Sequence, residues 1–200
     1  MPTQTVRNTE QDLRKAGPGA FVINLEEIRK RARAHLEEGA KTESYSLDVN
    51  KACSLLNEAI ATELVCTLRY KFHAIMAQGI HSESVKKEFE AHADEEQQHM
   101  EMLAERVNQL GGKPDFNPAT LLARSASEYI EGDDLIDMIK ENLVAERIAI
   151  DTYRAMIEYF GEKDPTTRRL LEEILAKEEE HANDMHDLLV AHEGKPMLEK

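Results

Sequence analysis

The chain repeats one pattern of metal-binding side chains. A lone glutamate is followed, after 33 residues in the first copy and 32 in the second, by the motif Glu-x-x-His. The six residues of the pattern are Glu63, Glu96, His99, Glu146, Glu178 and His181. Residues three apart lie on one face of a helix, so the glutamate and histidine of one motif can bind the same metal ion. Two such motifs and two further glutamates predict a dinuclear metal site inside a four-helix bundle.

Each of the six residues falls on a stripe that otherwise holds apolar side chains at helical spacing, as Ile139 and Leu143 do before Glu146. A buried carboxylate without a partner is strongly destabilising. Two divalent cations would balance four carboxylates, and an oxygen-rich shell with one imidazole per ion suits iron or manganese better than zinc. The alternative is a purely structural role, because a single Glu-x-x-His on a charged helix is common without metal. That alternative leaves four carboxylates unpaired in the core.

Two tyrosines accompany the pattern, because Tyr70 and Tyr153 each follow a lone glutamate by seven residues. They are either core tyrosines with a bonded hydroxyl or partners of the metal ligands, in hydrogen bonding or electron donation.

Other polar residues lie near the motifs in sequence. His92, one turn before Glu96, is open to a core role or to a transit or alternative metal role. Cys66, one turn after Glu63, is expected to pack in the core. Asp94 and Glu95 are expected to lie on the solvated face.

Four long helices are needed to position these side chains. Periodicity, with caps and terminal glycines, predicts them over residues 48–78, 82–110, 133–160 and 164–191. Segment 111–132 is long and contains prolines, so it should cross the length of the bundle, with a short helix over 120–130. Another short helix is predicted over 24–38. The two halves are offset by 82 or 83 residues, which indicates an internal pseudo-repeat.

The predicted fold is therefore all-α: an antiparallel four-helix bundle with a long crossover between its second and third helices, and an N-terminal helical extension. Residues 1–45 are assigned to a polar arm and short helix, residues 46–194 to the bundle, and residues 195–200 to a polar tail.

Composition narrows the function classes. The net charge of −14 argues against direct nucleic-acid binding, which needs clustered basic residues, whereas an acidic field attracts cations. No apolar run is long enough for a transmembrane helix, and the N-terminus lacks the apolar core of a signal peptide. A cytoplasmic location without membrane contact is expected. Cys53 and Cys66 would lie about 20 Å apart on one helix, too far to pair, so both are expected to be reduced.

Four segments resemble the bacterioferritin branch of the ferritin-like family, over about residues 50–192. They are ATELVCTLRY, HADEEQQHMEML, ENLVAERIAIDTY and AKEEEHANDM. The resemblance implies that the six residues of the pattern are ferroxidase ligands for two iron ions per subunit, with manganese or zinc as substitutes. It also implies that Tyr70 is a redox-active neighbour and that Tyr153 is a hydrogen-bonding partner of the ligands.

Three departures from that branch refine the expectation. Gln97 stands where bacterioferritins carry a haem-ligating methionine, so haem is not expected. Only GKPMLEK follows the fourth helix, where 24-subunit cages have a fifth. The N-terminal extension and long crossover resemble the mini-ferritins, the Dps-like cages. This resemblance implies a homo-oligomeric cage of 12 subunits.

The function implied by the resemblance is oxidation of Fe(II) by oxygen or hydrogen peroxide, with storage of the iron inside the cage. A di-manganese catalase or another di-metal oxidoreductase without storage remains an alternative on the same centre. A binding or shell protein without turnover is a third.

Overall fold

The computed structural model describes residues 23–79 and 82–193, and every regular element in these ranges is a helix. The predicted polar arm at residues 1–20 and the tail at 195–200 lie outside them. The chain divides into two compact units between residues 46 and 47. Within the described ranges, no helix is both long enough and apolar enough to cross a membrane.

The described part of the first unit, residues 23–46, contains a short helix, α1 (Leu25–Arg31), followed by a 3-10 turn at Leu36–Glu38. Asn24 begins α1 by accepting a hydrogen bond from the Glu27 amide at 3.0 Å. The prediction of one helix over 24–38 is wrong, because His35 has a left-handed backbone (φ 51°) between the two pieces. No residue of α1 is buried. A short helix with no buried face is marginal in water, which is consistent with its end at Arg31.

The second unit is a bundle of four long helices: α2 (Val49–Met76), α3 (Ser82–Gln109), α5 (Leu135–Phe160) and α6 (Pro165–Glu193). α2 packs mainly against α3, and α5 packs mainly against α6. The prediction of a four-helix bundle built from two helix pairs is confirmed, with helix bounds within about two residues of those expected.

Aspartates begin three of the long helices. The Asp48 carboxylate accepts from the amides of Asn50 and Lys51 at the start of α2, at 2.8 and 3.2 Å. Asp134 does the same at the start of α5, and Asp164 Oδ1 accepts from the Thr167 amide in the first turn of α6. These side chains satisfy amides that have no partner within the helix, which is why the helices start where the sequence indicates.

The crossover between α3 and α5 contains a 3-10 turn at Pro118–Thr120 and one turn of helix, α4 (Leu121–Arg124). The prediction of a helix over 120–130 is wrong beyond Arg124. Side chains of α2 bind the backbone that such a helix would need. The Ala126 amide donates to Thr62 Oγ1 at 3.0 Å, and Arg69 Nη1 donates to the Glu128 carbonyl at 2.8 Å. These bonds hold the crossover along α2 in a non-helical form.

All four long helices contribute to an apolar cluster that includes Tyr70, Phe89, Ile139 and Met185, all of them fully buried. The Tyr70 hydroxyl joins this cluster to a polar group of residues in the core. The packed helices therefore hold that polar group away from solvent.

Candidate metal centre

The structure brings the six residues of the repeated pattern together in the core of the bundle. Each is at most 5% exposed. Glu63 comes from α2, the first Glu-x-x-His from α3, Glu146 from α5, and the second Glu-x-x-His from α6. One side chain or one pair from each long helix therefore faces a common point.

These side chains form two groups of four, in each of which ligand atoms lie within 4.8 Å of one another. The first group is Glu63, Glu96, His99 and Glu178, and the second is Glu96, Glu146, Glu178 and His181. Glu96 and Glu178 belong to both groups. Each group also has one glutamate and one histidine of its own. This arrangement would suit two ions, with Glu96 and Glu178 within reach of both.

Both imidazoles turn the same nitrogen toward the carboxylates. His99 Nδ1 lies 2.9 Å from Glu178 Oε1 and 3.1 Å from Glu96 Oε2. His181 Nδ1 lies 3.7 Å from Glu96 Oε1. Each Nδ1 is thus placed to bind an ion together with a shared glutamate.

Several polar atoms of the cluster lack a hydrogen-bond partner among the described residues. They are Glu96 Oε1, Glu146 Oε2, Glu178 Oε2 and His181 Nδ1. Buried polar atoms are normally bonded, and leaving one without a partner is destabilising. Metal ions would bind these atoms, and two divalent cations would neutralise the four carboxylates. The donor set therefore fits a dinuclear site for oxygen-preferring metals.

The four glutamates differ in pKa: three are raised and that of Glu96 is lowered. Burial, and then the charge of Glu96, raise the pKa of Glu63 to about 8 and also raise the pKa of Glu146 and of Glu178. Burial acts in the same direction on Glu96, but bonds to His181 and His99 hold its pKa well below the usual range. Without metal, the cluster retains protons that bound cations would displace.

The pKa values of the two histidines are also raised, but here burial acts against the shift and the carboxylates cause it. Burial disfavours a charged His181, but its contacts with Glu96 outweigh burial and raise its pKa to about 9. The pKa of His99 is likewise raised, against burial, by Glu178, Glu63 and Glu96. Metal binding must therefore release protons and depend on pH.

Each tyrosine bonds to the lone glutamate of the other half. The Tyr70 hydroxyl donates to Glu146 Oε1, and the Tyr153 hydroxyl donates to Glu63 Oε1. Both tyrosines are at most 1% exposed. The sequence left open whether these tyrosines only pack in the core or also bond to the candidate ligands. The geometry favours the second interpretation, because each hydroxyl donates to one carboxylate.

Glu95 has a role that the sequence did not indicate. It was expected on the solvated face, and its side chain is 38% exposed, but its Oε2 also lies 2.6 Å from His181 Nε2. The two residues are 86 apart in sequence, so no local pattern could have identified this contact. Its neighbour Asp94 does lie at the surface, 71% exposed, where it pairs with Lys71 at 3.1 Å.

His92 lies against the centre without belonging to either group of four. Its ring stacks on His181 with centroids 4.0 Å apart, and its Nδ1 is 3.2 Å from the Tyr70 hydroxyl. Cys66 is also buried, and Arg69 Nη2 approaches its sulfur at 3.5 Å. Burial raises the pKa of the Cys66 thiol, which favours the packing role over a thiolate ligand.

A cavity of about 360 Å³ lies between α3 and α6 and reaches His99. Met102 and Ile174 contribute apolar walls, and Lys177 and Glu180 contribute charged ones. The cavity connects the surface to one side of the centre.

Comparison with known proteins agrees with this geometry. The sequence profile of the ferritin-like domain matches residues 53–193. The DNA protection during starvation protein of Pyrococcus furiosus is 32% identical over 157 residues, 77% of this chain and 83% of that protein. The bacterioferritin of Mycobacterium avium is 30% identical over 128 residues, 64% of this chain and 76% of that protein.

A solved structure is also similar to this chain. It is the bacterioferritin-related protein of Bacteroides fragilis, described as a dodecameric thioferritin. The two chains superpose with a TM-score of 0.71 and 31% identity, over 76% of this chain and 94% of that one. With two groups of buried carboxylates and imidazoles in a matching four-helix bundle, this chain belongs to the ferritin-like family.

Proposed function

We propose that this protein oxidises Fe(II) at the six-residue centre and stores the product inside a hollow homo-oligomer. The observation that carries the proposal is the pair of four-residue groups sharing Glu96 and Glu178. That arrangement holds two ions side by side, as a two-electron oxidant requires. The orphaned carboxylate and imidazole atoms in the core support it further.

The reaction balances with two Fe(II) ions as substrate. Each ion gives one electron to one molecule of hydrogen peroxide, which takes up two protons and leaves as two waters. With oxygen as the oxidant, two electrons and two protons produce one hydrogen peroxide. Pairing two one-electron donors at one site avoids release of a radical from a single electron transfer.

The chain's own residues bind and orient in this scheme. Glu63 and His99 hold one ion, Glu146 and His181 hold the other, and the two shared glutamates span both. Tyr70 and Tyr153 orient the lone glutamates through their hydroxyls, which donate to Glu146 and Glu63. The buried setting strengthens each charge interaction.

The storage part of the proposal requires an enclosed volume. The similarity to a dodecameric protein supports a cage of 12 subunits. Twelve chains of 22.7 kDa give a protein shell of about 272 kDa. Light scattering on the metal-loaded protein measures this mass directly, and a discrete dimer would contradict storage.

Direct DNA binding is not part of the proposal, although one relative is named for DNA protection. The net charge of −14 opposes contact with phosphates. Protection would instead follow from removing iron and peroxide together.

The test loads the metal-free protein with two Fe(II) per chain without oxygen and then adds peroxide. We expect rapid growth of Fe(III) absorbance in the native protein and a loss of at least about 100-fold in rate for Glu146→Ala, since removing a direct ligand should exceed the 10- to 100-fold cost of losing an outer partner. Glu158→Ala, at an exposed position on the same helix, is the matched control and should oxidise iron normally.

Two outcomes would contradict the proposal. Undiminished oxidation by Glu146→Ala would remove the proposed site. Isolation of the protein with manganese, together with oxygen release from peroxide, would instead favour the catalase alternative.

A further inference from the structure

The internal repeat contributes one Glu-x-x-His motif to each side of the metal centre. The His99 side and the His181 side can therefore be compared position by position. An offset of 82 residues relates the first Glu-x-x-His to the second. The same offset pairs Glu95 with Lys177, and His92 with Ile174. The ligands are therefore repeated, but the residues behind them are not.

On one side, His181 is supported from two directions. Its Nε2 lies 2.6 Å from Glu95 Oε2, which accepts the Nε2 proton, so the Nδ1 proton is the one that a metal ion would displace. The ring of His92 stacks on the imidazole at a centroid distance of 4.0 Å and an angle of 20°. The imidazole is thus held in one orientation, with Nδ1 toward the other ligands.

On the other side, His99 has neither support. Lys177 stands in the position of Glu95, and a lysine only donates hydrogen bonds, so it cannot accept the Nε2 proton of His99. Its ammonium instead pairs with Glu180 at 2.8 Å. The repeat places Ile174 where the other half has the stacking imidazole. The cavity of about 360 Å³ is lined by the His99 ring itself, whereas on the other side it is lined by Glu95 and not by His181.

We propose that the two metal positions are unequal: Glu95 is a positioning residue that makes the His181 position the tighter one, and the His99 position is the one that exchanges metal through the cavity. This inference rests on the proposed function only in taking the six residues as a two-ion site. A carboxylate behind a metal-binding imidazole typically contributes 10- to 100-fold in metal affinity. The permanent and exchanging positions would then follow from one side-chain difference, Glu95 against Lys177.

Co(II) binding to the metal-free assembled protein tests this without turnover, by calorimetry and by the visible absorbance of the bound ion. We expect two binding steps per chain that differ by at least about tenfold. His181→Ala should remove the tighter step, and His99→Ala should remove the weaker one. These two variants assign the steps before Glu95 is changed.

Variants at Glu95 and Lys177 then separate positioning from general effects. Glu95→Ala should weaken the tighter step by about 10- to 100-fold and leave the weaker one unchanged. Glu95→Gln should retain much of that affinity, because the amide oxygen still accepts the Nε2 proton. Asp94→Ala, which removes a neighbouring exposed charge, is the matched control. Lys177→Glu puts an acceptor at the position that the repeat pairs with Glu95, on the wall of the cavity that His99 also lines, and should tighten the weaker step.

The results that would overturn the inference differ from those that would overturn the proposed function. Two steps of equal affinity, or equal weakening of both by Glu95→Ala, would refute the unequal positions but leave the two-ion site in place. Binding of fewer than two Co(II) per chain would refute both. Two unequal steps in a protein that does not oxidise iron would support the inference and refute only the proposed function.

Discussion

Two buried polar clusters in the bundle satisfy their charges in opposite ways. The Arg106 cluster, formed by the buried Arg106, Asp164 and Thr167 with the exposed Gln109 at its edge, joins the end of α3 to the start of α6. The guanidinium donates to both Asp164 oxygens at 3.0 and 3.1 Å, to Thr167 Oγ1 at 2.7 Å and to Gln109 Oε1 at 3.1 Å. Thr167 in turn donates to Asp164 from its amide and its hydroxyl. Here the protein supplies both charges.

The metal centre lacks that balance. Four glutamates face two histidines, and Glu146 Oε2 and Glu178 Oε2 have no hydrogen-bond partner in the described part of the chain. Both clusters are buried, so burial alone does not distinguish them. The difference is that one contains its own counter-charge and the other needs cations from outside, which is the mark of a binding site rather than a structural ion pair.

The largest predicted effect concerns the Arg106 cluster. Arg106→Met would remove the guanidinium that pairs with the buried Asp164, and breaking such a pair costs about 3 kcal/mol of unfolding free energy. Denaturant unfolding of the metal-free protein measures it, and iron oxidation should be unchanged. Arg154→Met removes an exposed pair with Glu179 and is the control, expected to cost less than about 1 kcal/mol. Equal costs for both variants would contradict the self-contained cluster.

A smaller effect is expected from pH on the metal-free protein. The pKa of Glu63 is raised from 4.5 to about 8 by burial and Glu96, so its contribution to stability is present below pH 4.5 and is lost as pH rises through 8. His181, raised from 6.5 to about 9, loses its contribution as pH rises through 9. The lowered pKa of Glu96 makes its contribution to stability grow with pH, but the raised groups are more numerous. Between pH 5 and 8.5 the melting temperature should fall by about 5 °C.

The Arg106 cluster gives the opposite sign. Contacts with Thr167 and Arg106 lower the pKa of Asp164 despite burial, so its contribution is present above pH 3.8 and is lost only in acid. Adding Mn(II) should reverse the alkaline loss, because ions replace the displaced protons. Calorimetric melting with and without Mn(II) checks both statements. If the melting temperature of the metal-free protein rose toward pH 8.5, the carboxylates of the metal centre would not lack counter-charges as we infer.

The smallest predicted effect is a gain in unfolding free energy at the metal centre, where the Arg106 cluster would show a loss. Glu63→Gln removes one uncompensated buried charge, so the metal-free protein should gain about 1 kcal/mol at pH 8, whereas every loss in the Arg106 cluster destabilises. Metal binding at the His99 position, to which Glu63 belongs, should weaken at the same time. The exposed Glu58→Gln on the same helix should stay within about 0.5 kcal/mol of the native protein. Destabilisation by Glu63→Gln would indicate that the centre is already balanced without metal.

Much of the bundle follows from local sequence. Apolar residues at helical spacing, with Asp48, Asp134 and Asp164 at the helix starts, define the long helices to within about two residues. Prediction failed at residues 32–38 and 125–130. Tertiary structure decides both segments: α1 has no buried residue that would favour a longer helix, and Thr62 and Arg69 take the backbone groups that a longer crossover helix would use.

The identity and helix face of the six candidate ligands were determined by sequence alone, because a 3.6-residue period converts spacing into direction. Tertiary structure alone decided which residues support them. Tyr70 reaches Glu146 across 76 residues and Glu95 reaches His181 across 86, and only the packing of different helices brings such side chains together. The sequence alone shows only that the repeat pairs an acidic residue, Glu95, with a basic one, Lys177. This difference acquires a role only when an imidazole is found at 2.6 Å.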